Sequence, residues 1–308
     1  MISQDYSPTH TMDLLPASDF SVEELTDAYN RTRTDYLIPM PMNPGRMQEY
    51  IDLYDVDLSR SKVAMEDEII IGLGMLGVRP GMSWITRLGV LPEGRRQKTG
   101  TALLAGLLDE SDRQGLPVVW LEVIKNNTPA HELFRLFGFR ETRELIVARR
   151  PPGPPRNKTV ALNASRIEYL EHNQVIELHC RRRERMNWLI AVETMRNVRR
   201  PELPAKDDLR VSPHESPHLS GLLVEFQDGT QGWVSCQVTA LQLKRICVEV
   251  IRGEPATPTA NLLDMLHHLH ASQDAVIENI PDDERWEGYR RAGYFEAFRR
   301  IEMVRSSE

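Results

Sequence analysis

The sequence predicts an α/β fold with a mixed sheet, present twice in tandem. Three observations lead there. The chain has 308 residues, enough for two domains of about 150 residues each. A proline-rich run divides it near the middle. The same order of elements, hairpins followed by strand–helix–strand–helix–strand, stands on either side of that run.

The elements follow in order. Ser21 and Glu24 have the spacing of a capping box, so a helix is expected from there to about Arg33. A loop rich in proline and methionine, Pro39 to Gly45, leads to a short helix ending near Tyr54. Residues 62–65 and 68–78 read as strands joined by a tight acidic turn, and Ser83 to Leu91 as a third. Ala102, Leu103, Leu107 and Leu108 recur at helical spacing, which predicts a helix from Thr99 to Gln114 stopped by Gly115. Val118 to Val123 is a buried strand. Asn127 is placed to cap a helix through Leu136, which Gly138 ends, and Leu145 to Ala148 closes the copy.

Pro151, Pro152, Gly153, Pro154 and Pro155 cannot continue a helix or a central strand. Residues 151–158 are therefore expected to be an extended linker between a domain at 1–150 and another at 159–308. In the second copy, Leu222 to Phe226 and Gly232 to Val238 flank Asp228-Gly229, a hairpin signal. A strand at 243–251, a helix at 260–271, a strand at 275–280, a helix at 284–292 and a final strand near 299–304 complete it. At an offset of 155, Glu132, Phe134, Arg135, Gly138, Phe139 and Glu141 meet Glu287, Tyr289, Arg290, Gly293, Tyr294 and Glu296. Equal or closely similar residues at equal places in two equal element orders point to duplication.

Composition narrows the function. A net charge of −7 is not the balance of a polyanion binder, so nucleic acid is not an expected partner. The basic run Arg181, Arg182, Arg183, Arg185 lies among Glu184, Glu193 and Glu202 and reads as a solvated helix face. Three sparse cysteines suit a reducing compartment. No apolar run reaches the ~20 residues that cross a bilayer, and the first residues carry no secretory pattern. A cytoplasmic protein with no membrane partner is the expectation. His267, His268 and His270 share a helix, but no carboxylate or thiolate partner stands at ligand spacing, so no metal is expected. His214 and His218 give no better case, and Cys236 and Cys247 read as core residues.

The chemistry concentrates between Arg87 and Leu104. A strand ends, a loop with Arg95, Arg96 and Lys98 follows, and a helix opens at Thr99-Gly100-Thr101. Unpaired N–H groups and the helix dipole make such a start an anion site, and Gly100 allows close approach of a phosphate. The segment Arg95-Arg96-Gln97-Lys98-Thr99-Gly100 resembles the phosphate loop of the GNAT acyltransferase superfamily, [RQ]-x-x-G-x-[GA], with Lys98 where the first glycine is usual. If that position needs positive φ, Lys98 is strained. Leu121-Glu122-Val123 followed by Asn127 to Phe139 resembles the family's second motif, L-E-V then N-x-x-A-x-x-L-Y-x-x-x-G-F, with Phe134 in place of the tyrosine.

The resemblance implies two tandem GNAT folds and acetyl-CoA as acyl donor. Backbone groups of Leu88 and Val90 then pair with the pantetheine arm. The amides of Gln97, Lys98, Thr99, Gly100 and Thr101 hold the pyrophosphate beside Arg95 and Arg96, and Asn127 and Phe134 lie along the thiol end. Glu122 matches the catalytic glutamate of ribosomal-protein alanine acetyltransferases and is expected to be the general base. Phe134 cannot protonate the leaving thiolate, and Tyr36, Tyr50 and Tyr54 are candidate substitutes. The implied activity is transfer of an acetyl group to a primary amine of a small molecule or peptide; the alternative is an acyl-CoA sensor or partner-binding scaffold without turnover. In the second copy, Glu254, Pro255 and Pro258 replace the phosphate loop. No CoA is expected there, and packing, homodimerisation or closure of the acceptor side are its expected roles.

Overall fold

The computed structural model describes residues 12–95, 97–182, 184–198 and 218–306. In chain order the elements are β1 (Asp13–Pro16), α1 (Val22–Arg31), α2 (Pro44–Leu53), β2 (Lys62–Glu66), β3 (Ile69–Arg79), β4 (Met82–Val90), α3 (Thr99–Arg113), β5 (Val118–Ile124), α4 (Thr128–Leu136) and β6 (Arg140–Arg150). They continue with β7 (Ala164–Leu170), α5 (His172–Cys180), α6 (Val192–Asn197), β8 (Leu219–Phe226), β9 (Gln231–Val238), β10 (Gln242–Arg252), α7 (Ala256–Leu269), β11 (Asp274–Pro281), α8 (Arg285–Arg291) and β12 (Phe295–Ser306).

The contacts divide the chain into two compact units. The first holds residues 1–123, 127–141 and 303–308; the second holds 124–126 and 142–302. These are not the sequence copies 1–150 and 159–308. Most of β6, which ends the first copy in sequence, pairs antiparallel with β11 in the second unit, from Leu145 opposite Pro281 to Arg150 opposite Ala275. Conversely, β12 passes from the second unit into the first at Met303.

In the first unit the strand order is β1-β2-β3-β4-β5, all antiparallel except β4 with β5, which run parallel. The capping box forms as expected: Glu24 N–H donates to Ser21 Oγ, and Ser21 N–H donates to Glu24. One face of α3 buries Leu103, Leu104, Leu107 and Leu108. In the second unit the order is β6-β11-β10-β9-β8-β7, with α7 burying Leu262, Leu263 and Leu266 in its core.

Duplication is written in the backbone. Each copy has an antiparallel trio, a helix, a parallel strand and a short helix. The third strand of each trio carries a bulge with a left-handed arginine, Arg87 at φ 54° and Arg245 at φ 52°. Phe134 meets Phe139 edge-on at 6.0 Å, and Tyr289 meets Tyr294 in the same way at 5.9 Å.

The proline-rich run, expected as a semi-rigid extended linker, is held by side-chain hydrogen bonds. Arg150 is 3% exposed, and its guanidinium donates to the carbonyls of Ala292, Gly153 and Pro154. Asp264 accepts the N–H groups of Arg156 and Asn157 at 2.8 and 3.0 Å, so buried charges peg the run to the second unit's core. The arginine cluster, expected as a solvated helix face, is only partly so: the Arg181 side chain is 74% exposed. Arg182 lies just past the end of α5 with its side chain 5% exposed, paired with Glu249 at 2.9 Å. Arg183 and His214 lie outside the described residues.

Candidate active site

The first unit opens where β4 and β5 part. Their parallel register runs from Met82 opposite Val118 to Ile85 opposite Leu121 and no further. Beyond it, Leu91 N–H still donates to Ile71 of β3 at 2.8 Å. Alternation along a strand then turns the backbone groups of Leu88 and Val90 away from β3, toward the opening. Their carbonyls are met by arginine side chains: Arg33 at 3.5 Å from Leu88 and Arg95 at 3.3 Å from Val90. A ligand amide pairing there as an added strand has to displace these guanidiniums.

At one end of the opening stands the start of α3. Its first intrahelical bond is Ala102 N–H to Lys98 C=O, and no side chain caps it. The amides of Thr99, Gly100 and Thr101 are thus left for another acceptor. A Cβ built on Gly100 meets Leu133 and Val90 at 3.6 Å each, ordinary contact. Gly100 is therefore not demanded by packing, which fits a glycine kept for an approaching ligand. Thr99 turns its hydroxyl inward to the Gly94 carbonyl at 3.2 Å, so only its amide faces out. Gln97 and Thr101 are exposed, Gln97 donating to the Glu93 carbonyl.

Lys98 has φ 67° and ψ 7°. The glycine slot does require the left-handed region, and lysine occupies it at a cost of about 1–2 kcal/mol. The expected trio of loop cations is also reduced. Arg95 is bound bidentate by Asp35 at 2.5 and 2.7 Å, and this guanidinium holds the Asp35 carboxyl below its usual range. Arg96 lies outside the described residues.

At the other end stands Glu122, half-buried on β5. The indole N–H of Trp84 donates to it at 2.6 Å. Tyr50 and Tyr54 pack around Trp84, with ring centroids 6.2 and 5.9 Å away. Tyr50 shares a 2.5 Å hydrogen bond with Thr86; burial, partly offset by the charge of Arg87, pushes its phenol up to about 12. The Arg87 guanidinium lies over the Tyr50 ring at 4.0 Å and donates to the Tyr29 hydroxyl at 2.9 Å.

Asn127 sits at the α4 N-cap position but makes no capping bond. Its amide donates instead to the Tyr36 hydroxyl at 3.3 Å, while Arg33 covers the Tyr36 ring at 4.3 Å. The turn after α1, residues 32–36, therefore reaches from β4 to the start of α4. Phe134 is buried against Phe139. Sequence reasoning placed Glu122, Asn127 and Gly100 at this opening. It missed Trp84, Arg33 and Arg87, whose only signal was their position on or at the end of elements already assigned.

The second copy has the same parting. β10 and β11 pair only at Gln242–Asp274 and Leu243–Ala275. Its helix start is sealed, however: the Glu254 carboxylate accepts the Ala256 amide at 2.9 Å and the Thr257 amide at 3.4 Å. A protein anion stands where a phosphate is held in such loops. His267 is fully buried with a ring nitrogen 2.8 Å from the Tyr294 hydroxyl, and burial pushes it down to about 3.

Residues 22–139 match the family model of the acetyltransferase (GNAT) family. A 54-residue stretch is 41% identical to the [ribosomal protein bS18]-alanine N-acetyltransferase of Escherichia coli (strain K12), covering 18% of this chain and 36% of that protein. The chain thus spans about a third of the length of the curated relatives it matches. Among solved structures, a GCN5-related N-acetyltransferase from Sphaerobacter thermophilus superposes with a TM-score of 0.65 at 15% identity over 96% of this chain and 95% of that one. A tandem GNAT protein from the clavulanic acid biosynthesis pathway does so with a TM-score of 0.60 at 12% identity, over 96% and 98%. Residues 22–139 thus match the acetyltransferase (GNAT) family, and the whole chain has the tandem GNAT fold.

Proposed function

We propose that the first unit is an acetyl-CoA-dependent N-acetyltransferase acting on a primary amine. The observation that carries this is the parting of β4 and β5, with uncapped α3 amides at one end and Glu122 at the other. The residues present suit the donor. The amides of Thr99, Gly100 and Thr101 take the pyrophosphate, helped by Gln97, Lys98 and Arg96 while Arg95 stays on Asp35, and Leu88 and Val90 take the pantetheine arm along the strand edge. Asn127 and Phe134 flank the thiol end. Bound acetyl-CoA supplies an acyl group activated as a thioester.

Glu122, oriented by Trp84, takes the proton of the incoming ammonium, directly or through a water. Phe134 offers no proton. Tyr36, whose hydroxyl reaches Asn127, supports the donor role better than Tyr50, which is committed to Thr86 and pushed up to about 12 by burial. The likeness to an enzyme named for an alanine N-terminus supports a peptide or protein α-amine among the acceptors.

A second reading, an acyl-CoA-binding module without turnover, is favoured by Phe134 and the strained Lys98. Calorimetric titration with acetyl-CoA, then an amine and peptide screen for CoA release, separates the two. Binding with turnover is the expected result. Binding without turnover selects the module. No binding removes both.

A further inference from the structure

The turn after α1 rests on β4 beside the carbonyls of Leu88 and Val90, and it brings a carboxylate there. Thr32 anchors it. A Cβ built on Gly89 would stand 2.5 Å from the Thr32 hydroxyl, so the end of α1 sits directly on the residue between Leu88 and Val90. The Thr32 hydroxyl donates to the Tyr29 carbonyl at 2.7 Å. The amides of Arg33 and Tyr36 donate to the carbonyls of Asn30 and Arg33. The backbone of the turn is thus fixed, and its side chains must give way to whatever pairs with β4.

Arg95 is the side chain most tightly held there. Its Nε donates to the Val90 carbonyl at 3.3 Å and its Nη2 to the Thr32 carbonyl at 3.4 Å. Nη1 and Nη2 also donate to the Asp35 carboxylate, at 2.5 and 2.7 Å. Each guanidinium nitrogen therefore has a partner. Yet the two side chains are 40% and 53% exposed, and an ion pair in such a position contributes little to stability. Its effect falls on the neighbourhood instead. Arg95 stands four residues before the uncapped start of α3, where a polyanion would be held. Asp35 cancels that cation and fixes it against Val90.

We propose that Asp35 is a positioning residue that withholds Arg95 from the pyrophosphate and keeps the affinity for acetyl-CoA, and for the product CoA, low. The proposal rests on the cofactor reading above. One carboxylate acts in two ways. It neutralises a cation beside the phosphate end, and it makes the pantetheine arm compete with a guanidinium for the Val90 carbonyl. Acetyl-CoA and CoA share that arm and that pyrophosphate, so both are held less tightly. The benefit lies in turnover, because a product bound more loosely leaves sooner.

The test uses the full chain. Acetyl-CoA and CoA are titrated calorimetrically into the native protein and into Asp35→Asn, which keeps the shape and removes the charge. Both ligands should bind the variant about fivefold tighter at low salt, with a steeper loss of affinity as salt is added. The KM for acetyl-CoA and the inhibition constant of CoA should fall by the same factor, while kcat does not rise. A merely structural loss cannot tighten binding, so the gain separates positioning from packing. Asp35→Glu, which can keep the pair, should bind as the native chain does. Unchanged or weaker binding by Asp35→Asn overturns the proposal and leaves the cofactor reading standing. No binding of either ligand by either chain overturns both.

Discussion

Trp84, paired with Trp120, donates a 2.6 Å hydrogen bond to Glu122, which stands one residue past the last paired rung of β4 and β5. An indole donor on a carboxylate favours the ionised form. Glu122→Gln should lower turnover by about 100-fold with acetyl-CoA affinity near native. Trp84→Phe should leave the acetyl-CoA affinity alone but move the acid limb of the kcat/KM profile to higher pH, because the carboxyl loses a donor. An unmoved profile would remove Trp84 as the residue that sets the base.

Lys98 tests the cost of the loop. Lys98→Gly should raise stability by up to about 1 kcal/mol in urea unfolding, since strain relief exceeds the added freedom of the unfolded chain. Lys98→Ala keeps the Cβ and should fall below the glycine variant by about 1 kcal/mol. Equal stability of the two would mean the left-handed backbone carries no strain.

Gly100 separates folding from binding. The Cβ of Gly100→Ala has room, so its melting temperature should match the native one. Gly100→Glu should melt similarly and lose acetyl-CoA binding in calorimetry, by placing a negative charge on the α3 amides. A glutamate variant that still binds ends the assignment of those amides.

Two buried histidines set an acid limit. Burial first, and then Arg182 and Arg150 respectively, push His179 and His267 down to about 3, against 6.5 for an exposed imidazole. Between those values the unfolded chain holds protons that the folded chain refuses. Stability therefore falls as pH drops from 6.5, with each histidine adding a slope of about 1.4 kcal/mol per pH unit. His267→Gln should reduce the slope of unfolding free energy between pH 6 and 5 by about that amount. An unchanged slope would mean His267 titrates normally.

Much of this was legible in the sequence. The capping box, the α3 leucines, the Asp228-Gly229 turn and the repeated glycines gave the elements, because each is a local signal with a local cause. The glycine slot at Lys98 was legible as a question that only a backbone angle could answer. Apart from its basic run, the segment 159–198 gave no assignment, yet it holds β7, α5 and α6. Arg182 read as solvated because a charge run looks the same whether it meets water or a distant Glu249. Arg95 likewise advertised a charge that Asp35, 60 residues away, takes up. Partners remote in sequence decide what a cation is for, and spacing does not record them.

The placement of β6 and β12 has a consequence for biosynthesis. During translation the first copy emerges early, but residues from Met303 onward, which complete its unit, are made only after the whole second copy. Met303 is fully buried in the finished protein. The nascent first unit must therefore wait with apolar surface uncovered, a window in which chaperones or neighbouring chains reach it. The first unit becomes whole only once the ribosome has passed residue 303, so yield in expression will track the fate of that waiting intermediate.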